Sequence, residues 1–304
     1  MVNTDQYYPQ TIHHPGLILE EKLQETGMGP KEFSVRTSKP EKTIIAVFKG
    51  KSSITPDMAV QFEQVTQIPA HYWMNHQRGY DEFIAREKHK QVVAESLDWA
   101  KHFPLNEMMS TDWLPKAASI EEKAASLLSF FGFASHKAWE DYYFKQLLKV
   151  TFRISLSHVH EPYALSSWLR KGEFQAAEIH AKTYSARIFK EKLSEIKKLD
   201  SLKSEVVLNQ IRDKCLDAGV KLVSTPLLTK VHVSGSVRWI NDTPLIQIAG
   251  NNLNERSVLY TFFHEAGHIL LHGKKNVFLE NIEYSDKDLQ KEKEADEFAA
   301  AWMK

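Results

Sequence analysis

The chain carries a single cysteine, Cys215, among its 304 residues. One thiol cannot close an intramolecular disulfide, so a cross-linked extracellular scaffold is excluded, and Cys215 is expected as a small core residue in a reducing compartment. Net charge is missing too: 39 Lys and Arg balance 39 Asp and Glu. No chain-wide field exists to draw in nucleic acid or anionic lipid, and any polyanion site must be local. Long apolar runs are absent. The most apolar window, Ala124 to Ala134, is too short to span a bilayer, and Met1 to Gln10 is polar where a secretory leader would be apolar. No internal repeat or low-complexity tract occurs. A soluble, cytoplasmic protein with no membrane partner is expected.

The chain does have apolar substance: 42% of residues are hydrophobic, 11% aromatic and 26% charged. That suits a globular protein, and the length suits two or three domains. Residues 1–88 place turn signals (Gly27-Met28-Gly29-Pro30, Ser38-Lys39-Pro40, Thr55-Pro56-Asp57) between four or five short helical patterns. Residues 89–215 turn to longer helical segments and predict an all-helical middle. In residues 216–304 the strand signals appear: Gly219 to Val223, Val231 to Val233, Val237 to Ile240 and Leu245 to Ile248, with a turn at Asn241-Asp242-Thr243-Pro244. Two helices follow, Arg256 to His272 and Ser285 to Met303. The second is still periodic at Lys304, which predicts a domain truncated at its C-terminus. The expected fold is mainly α with a small β-sheet, an α+β chain.

His264-Glu265-Ala266-Gly267-His268 lies in an apolar helical run. A spacing of four puts both imidazoles on one helical face, where they can share a metal ion. Glu265 beside them can act as general base toward water. Such a string arises by chance in roughly 0.05 of chains of this composition, so the surroundings must decide. They do so in the last helix, where Ser285 to Asp288 suggests a capping box variant. Glu292, Ala295, Asp296 and Ala299 share a face there, with small neighbours that let a carboxylate approach a metal. Glu292 is the expected third ligand, and Asp296 is expected to accept the outer ring proton of a ligating histidine. Glu294 points about 200° away from Glu292 and is the weaker ligand. His272 continues the stripe and is read as an outer or helix-end group. Two histidines, one glutamate and an open position describe a catalytic Zn2+ site rather than a structural one. The structural alternative is a helix whose buried histidines and glutamates merely satisfy one another, at the cost of burying three ionisable groups without a cation. Tyr260, Tyr284, His232 and Arg238 are unranked candidates for stabilising an oxyanion. Leu245 to Ile248 could offer a strand edge to an extended substrate, or could simply be core.

Residues 1–88 hold ten Lys and Arg against eleven Asp and Glu, yet six positive residues (Lys31, Arg36, Lys39, Lys42, Lys49, Lys51) gather between 31 and 51 against Glu32 and Glu41. Pro30 to Val35 and Pro40 to Phe48 form a helix-turn-helix pattern, with Ser38 near the cap and Pro40 in the first turn of the second helix. Lys39, Lys42 and Thr43 would face base edges or phosphates of double-stranded DNA, and Lys49 and Lys51 the backbone. A solvated charged face on a small bundle explains the charge equally well.

His14-Pro15-Gly16 to Leu23, Met28 to Ile44, Gly50-Lys51, Ile54-Thr55-Pro56, Ala59 and Tyr72-Trp73-Met74-Asn75 resemble the XRE-type helix-turn-helix of HigA-family antitoxins over roughly residues 11–86. His264 to His272 with Glu292 to Ala299 is similar to the zincin-like ImmA/IrrE metallo-endopeptidases. Arg153, Trp168-Leu169-Arg170, Gly219-Val220 and Trp239 look like the linking region of fused members. The resemblance implies a regulator that binds operator DNA as a homodimer and cleaves a partner protein, with His264, His268 and Glu292 as zinc ligands and Glu265 as general base. The alternative from the binding class is an antitoxin-like repressor whose peptidase-like half serves dimerisation or contact with a cognate toxin. One departure from the antitoxin pattern is the apolar run Ile44 to Phe48, where relatives place more polar side chains.

Overall fold

The computed structural model describes residues 12–143, 161–199, 204–250, 255–274, 278–279 and 286–304. Ser285, Tyr284 and Arg153 lie outside them, and with them the capping-box reading at Ser285. The chain divides into two compact units, Met1–Ala94 and Glu95–Lys304. The second holds the strands together with the stretch read from sequence as a helical middle. Mainly α with a small β-sheet is the observed class.

The first unit is a helical bundle of α1 (Pro15–Glu25), α2 (Pro30–Arg36), α3 (Glu41–Phe48), α4 (Pro56–Thr66) and the long α5 (Ala70–Glu95). Its helices start as the punctuation dictates: Pro fills the first turn of α1, α2 and α4, and the Thr55 hydroxyl caps α4 by accepting from the Met58 amide. Pro40 is the residue before α3 rather than part of its first turn. Ser38 adopts positive φ in the turn instead of capping. Leu19, Phe33, Ile44, Val47, Phe62 and Trp73 interlock with no exposed surface. At a few kcal/mol per large buried side chain, this core is sufficient to fix the turn between α2 and α3.

In the second unit, α6 (Leu97–Ala100), α7 (Leu105–Ser110), α8 (Ile120–Phe131) and α9 (His136–Glu140) precede α10 (Pro162–Ala177), α11 (Ala186–Ile196) and α12 (Ser204–Asp217). Ser119 and Glu122 close a capping box at the start of α8. Trp99, Phe103, Phe131, Trp139 and Tyr163 form a cluster of rings packed largely edge to face.

Four strands form one sheet among the described residues, in the order β1 (Lys221–Thr225), β3 (Thr243–Ala249), β2 (Gly235–Ile240), β4 (Phe278–Leu279). β1 runs parallel to β3, and β2 is antiparallel to both β3 and β4. Asn241, at φ 56, takes the left-handed turn that closes the β2–β3 hairpin. Two expectations need correction. Val231 to Val233 forms no strand, because Val231 is tied into a turn by its amide bond to the Leu228 carbonyl. Leu245 to Ile248 offers no edge to a substrate, because β3 is paired on both sides. The two-residue β4 had no readable pattern.

The period of two sorts the sheet's faces. Leu222, Val237, Ile246 and Ile248 pack into one core with α12 and with α13 (Glu255–Leu271). Gln247 and Arg238 face α10 instead. The Gln247 amide donates to the Trp168 carbonyl at 2.7 Å and to the Thr225 hydroxyl at 3.0 Å. Arg238 donates to Gln247 at 3.0 Å and to the Leu169 carbonyl at 2.6 Å. Gly172 leaves the room this needs, since a Cβ there would come 2.1 Å from the Gln247 Oε1. Cys215 is fully buried, as a core residue should be.

A parallel constraint in the first unit gives a test. A Cβ on Gly16 would lie 1.9 Å from the Val47 carbonyl oxygen. Gly16→Ala is expected to push α1 off α3 and destabilise this unit by about 1–3 kcal/mol, measured as a lowered midpoint of urea unfolding.

Candidate metal centre and helix-turn-helix

Helix α13 is polar along one stripe and apolar elsewhere. Val258, Phe262, Phe263 and Ala266 bury themselves against the sheet and the helices beside it. Tyr260, His264, His268 and His272, four apart, face the final helix α14 (Asp286–Trp302). The two helices come close because small residues meet. A Cβ on Gly267 would lie only 3.3 Å from the Ala295 Cα, and Ala295 and Ala299 have no exposed surface. They run antiparallel: Phe263 stacks on Trp302, while His268 meets Glu292.

At this contact one ligand atom each from His264, His268 and Glu292 lies within 4.8 Å of the others. His264 Nε2 is 3.0 Å from His268 Nε2 and 3.2 Å from Glu292 Oε2. Glu292 Oε1 is 3.4 Å from His268 Nε2 and is buried without a hydrogen bond. The outer hydrogen bonds show why this set suits a cation. Asp296, an acceptor, lies 3.0 Å from His264 Nδ1 and so takes the ring proton there, leaving Nε2 as a lone pair aimed inward. The Tyr260 hydroxyl donates to the same Asp296 oxygen at 2.9 Å. Burial lowers the pKa of His268 to about 4, against the opposing pull of Glu292. Burial pushes Glu292 upward, but the closeness of the His264 and His268 imidazoles outweighs that and brings it to about 2. Near neutral pH, His268 is therefore uncharged and Glu292 ionised, the forms that ligate divalent metals.

Glu265 is fully buried beside them. A Cβ on Gly235 would meet its Oε1 at 2.7 Å, so the first residue of β2 must be small for the carboxylate to fit. Further along the helix pair a cleft of about 560 Å³ opens among Ser234, Arg256, Tyr260, Thr261, Ala300 and Met303. Of the oxyanion candidates, Tyr260 is the one at the centre, with its proton engaged by Asp296. His232 is exposed. Arg238 is a correction: its guanidinium is locked between Gln247 and the Leu169 carbonyl, where burial lowers its pKa, and it serves the sheet. Tyr284 lies outside the described residues. Sequence reasoning overlooked how Glu294 is used. Turned away from the ligand set, it lies 3.0 Å from His272 Nε2. The signal was a third histidine at the same spacing of four, which demanded a partner.

In the first unit, α2 and α3 flank the turn Thr37 to Pro40. Ile44 and Val47 of the apolar run are core residues, which leaves Lys42 exposed and Thr43 half-buried at the start of α3. Lys49 and Lys51 are exposed just beyond its end. Lys39 is paired with Asp57 at the start of α4.

Two helices offering two histidines and a carboxylate to one point define a candidate metal centre. Residues 215–303 match the peptidase M78 family model, the IrrE N-terminal-like domain. Comparison with curated proteins returns no match. Among solved structures, the chain is similar to an addiction module antidote protein of the HigA family from Coxiella burnetii. Identity is 27%, covering 27% of this chain and 91% of that one, at a TM-score of 0.25. It is also similar to the Pseudomonas aeruginosa antitoxin HigA, solved with the higBA promoter. There, identity is 26%, covering 26% of this chain and 86% of that one, again at a TM-score of 0.25.

The close approach at Gly267 generates a test. Gly267→Leu is expected to cost about 1–3 kcal/mol through overpacking and to separate α14 from α13. Titration with Co2+ is expected to give visible absorption of a tetrahedral site in wild type and to give none in the variant.

Proposed function

We propose that the chain is a DNA-binding regulator carrying a zinc-dependent endopeptidase that cleaves a regulatory protein. Residues 1–88 are its helix-turn-helix domain, 89–215 its linking region and 216–304 its peptidase domain. The observation that carries the enzymatic reading is the convergence of His264, His268 and Glu292 within 4.8 Å, with Glu265 next in sequence to the first of them. These three would hold Zn2+ and leave it an open position. Bound there, zinc would supply Lewis acidity to a water molecule and to a peptide carbonyl.

The chain's own groups do the rest. Glu265 accepts a proton from the attacking water as its oxygen bonds to the carbonyl carbon. As the C–N bond breaks, Glu265 returns that proton to the leaving amine. Asp296 holds His264 in the tautomer that points a lone pair inward, and Tyr260 steadies Asp296. The cleft beyond Tyr260 would accommodate a short stretch of substrate.

For the first unit, α3 would enter the major groove by its N-terminus. Lys42 and Thr43 would face bases or phosphates, Lys49 and Lys51 the backbone, and Lys39 would join them only by giving up Asp57. A homodimer would place two such helices on an inverted repeat in the operator.

The enzymatic reading is tested with Glu265→Gln. Zinc content should match wild type, near one ion per chain. The new protein N-termini that appear in cells expressing wild type should fall by about 10²–10⁴-fold. Equal yields from the two proteins would favour the repressor whose second half only binds a partner. The DNA reading is tested by mobility shifts on the chain's own promoter. Affinity should drop steeply between about 50 and 200 mM salt, and Lys42→Ala should reduce the salt slope by about one. Unchanged binding by Lys42→Ala would remove α3 from the groove.

A further inference from the structure

We infer that His272 and Glu294 form an outer relay that holds His268 in the tautomer carrying its proton on Nδ1, so that Nε2 is free to ligate a divalent cation. The inference rests on the metal centre proposed above. His268 Nδ1 lies 2.9 Å from His272 Nδ1, and His272 Nε2 lies 3.0 Å from Glu294 Oε2. The other Glu294 oxygen accepts from the Gln290 amide at 3.0 Å, so the carboxylate is held at both ends.

The chain of bonds has one self-consistent direction when its histidines are neutral. A carboxylate only accepts, so His272 must donate from Nε2. Its Nδ1 is then an acceptor, and His268 must donate from Nδ1. His268 Nε2 is left as a lone pair pointing at His264 Nε2 and Glu292. The reverse direction would face a bare His272 Nε2 toward the Glu294 carboxylate, lone pair against negative charge.

The two histidines of the centre are therefore backed in different ways by α14. His264 reaches a carboxylate directly through Asp296, while His268 reaches one through an intervening imidazole. His272 is a positioning residue and not a fourth ligand. The nitrogen it turns toward His268 meets Nδ1, on the side of the ring away from the atoms that converge. Its side chain is only 5% exposed, so water cannot readily take over the role, whereas Glu294 at 43% carries the relay to the surface.

The experiment is zinc affinity of the full chain by chelator competition at fixed pH, for wild type, His272→Leu and His272→Asn. The leucine variant is expected to bind about 10–100-fold more weakly. The asparagine variant, whose amide oxygen sits where Nδ1 was, should recover most of that loss. Should the leucine variant unfold, the asparagine variant and a spectrum of zinc-loaded wild type carry the test. There the His268 Nδ1 proton should show coupling to His272 Nδ1 across the hydrogen bond. Wild-type affinity in His272→Leu, or an uncoupled His268 Nδ1 proton, would overturn the relay. A wild-type chain that binds no zinc would overturn the metal centre itself, and the relay with it.

Discussion

The arrangement of the second unit depends on one electrostatic constraint. Two buried imidazoles and a largely buried carboxylate are brought within 4.8 Å between packed helices, where water screens them only in part. Left to themselves such groups would repel. What holds them is the apolar remainder of α13: Phe262 and Phe263 are buried almost completely, each worth on the order of 1.5–3 kcal/mol. Packing on one side of the helix thus supports an electron-rich stripe on the other, and a cation is the natural counterweight to that stripe.

Small residues convert this constraint into geometry. Gly267, Ala295 and Ala299 set the separation of α13 and α14, and with it the reach of Glu292 to the histidines. Gly235 does the same for Glu265 from the side of the sheet. Each carboxylate is placed by a neighbour's missing atoms as much as by its own helix.

Much of this was legible in the chain because it follows from periodicity. The spacing of four in His264 and His268 and the shared face of Glu292, Ala295, Asp296 and Ala299 are properties of a single helix, and a 3.6-residue period reveals them. The helix-turn-helix punctuation at Pro30 is legible for a similar local reason, whereas Pro40 stands one residue ahead of α3, and Ile44 and Val47 depart from a polar surface pattern because they belong to the core. What stayed hidden depends on tertiary contact. Glu294 looks misdirected when α14 is considered alone, and acquires a partner only once His272 lies across from it. Arg238 resembles a free cation until Leu169 and Gln247 close around it. The order of the strands, with β3 inside, cannot be read from strands of similar apolar content. The brief β4 is too short to show any alternation.

Gln247 is the one strongly polar side chain in the central strand, and it fits only where Trp168, Thr225 and Arg238 can bond it. A slip of β3 by a single residue would turn that amide into the oily layer beneath α13 and swing Ile246 and Ile248 toward α10. Stranding the amide there forfeits several kcal/mol. Misthreaded sheets are thereby penalised from within, and the polar anchor singles out one alignment of β3 among its neighbours.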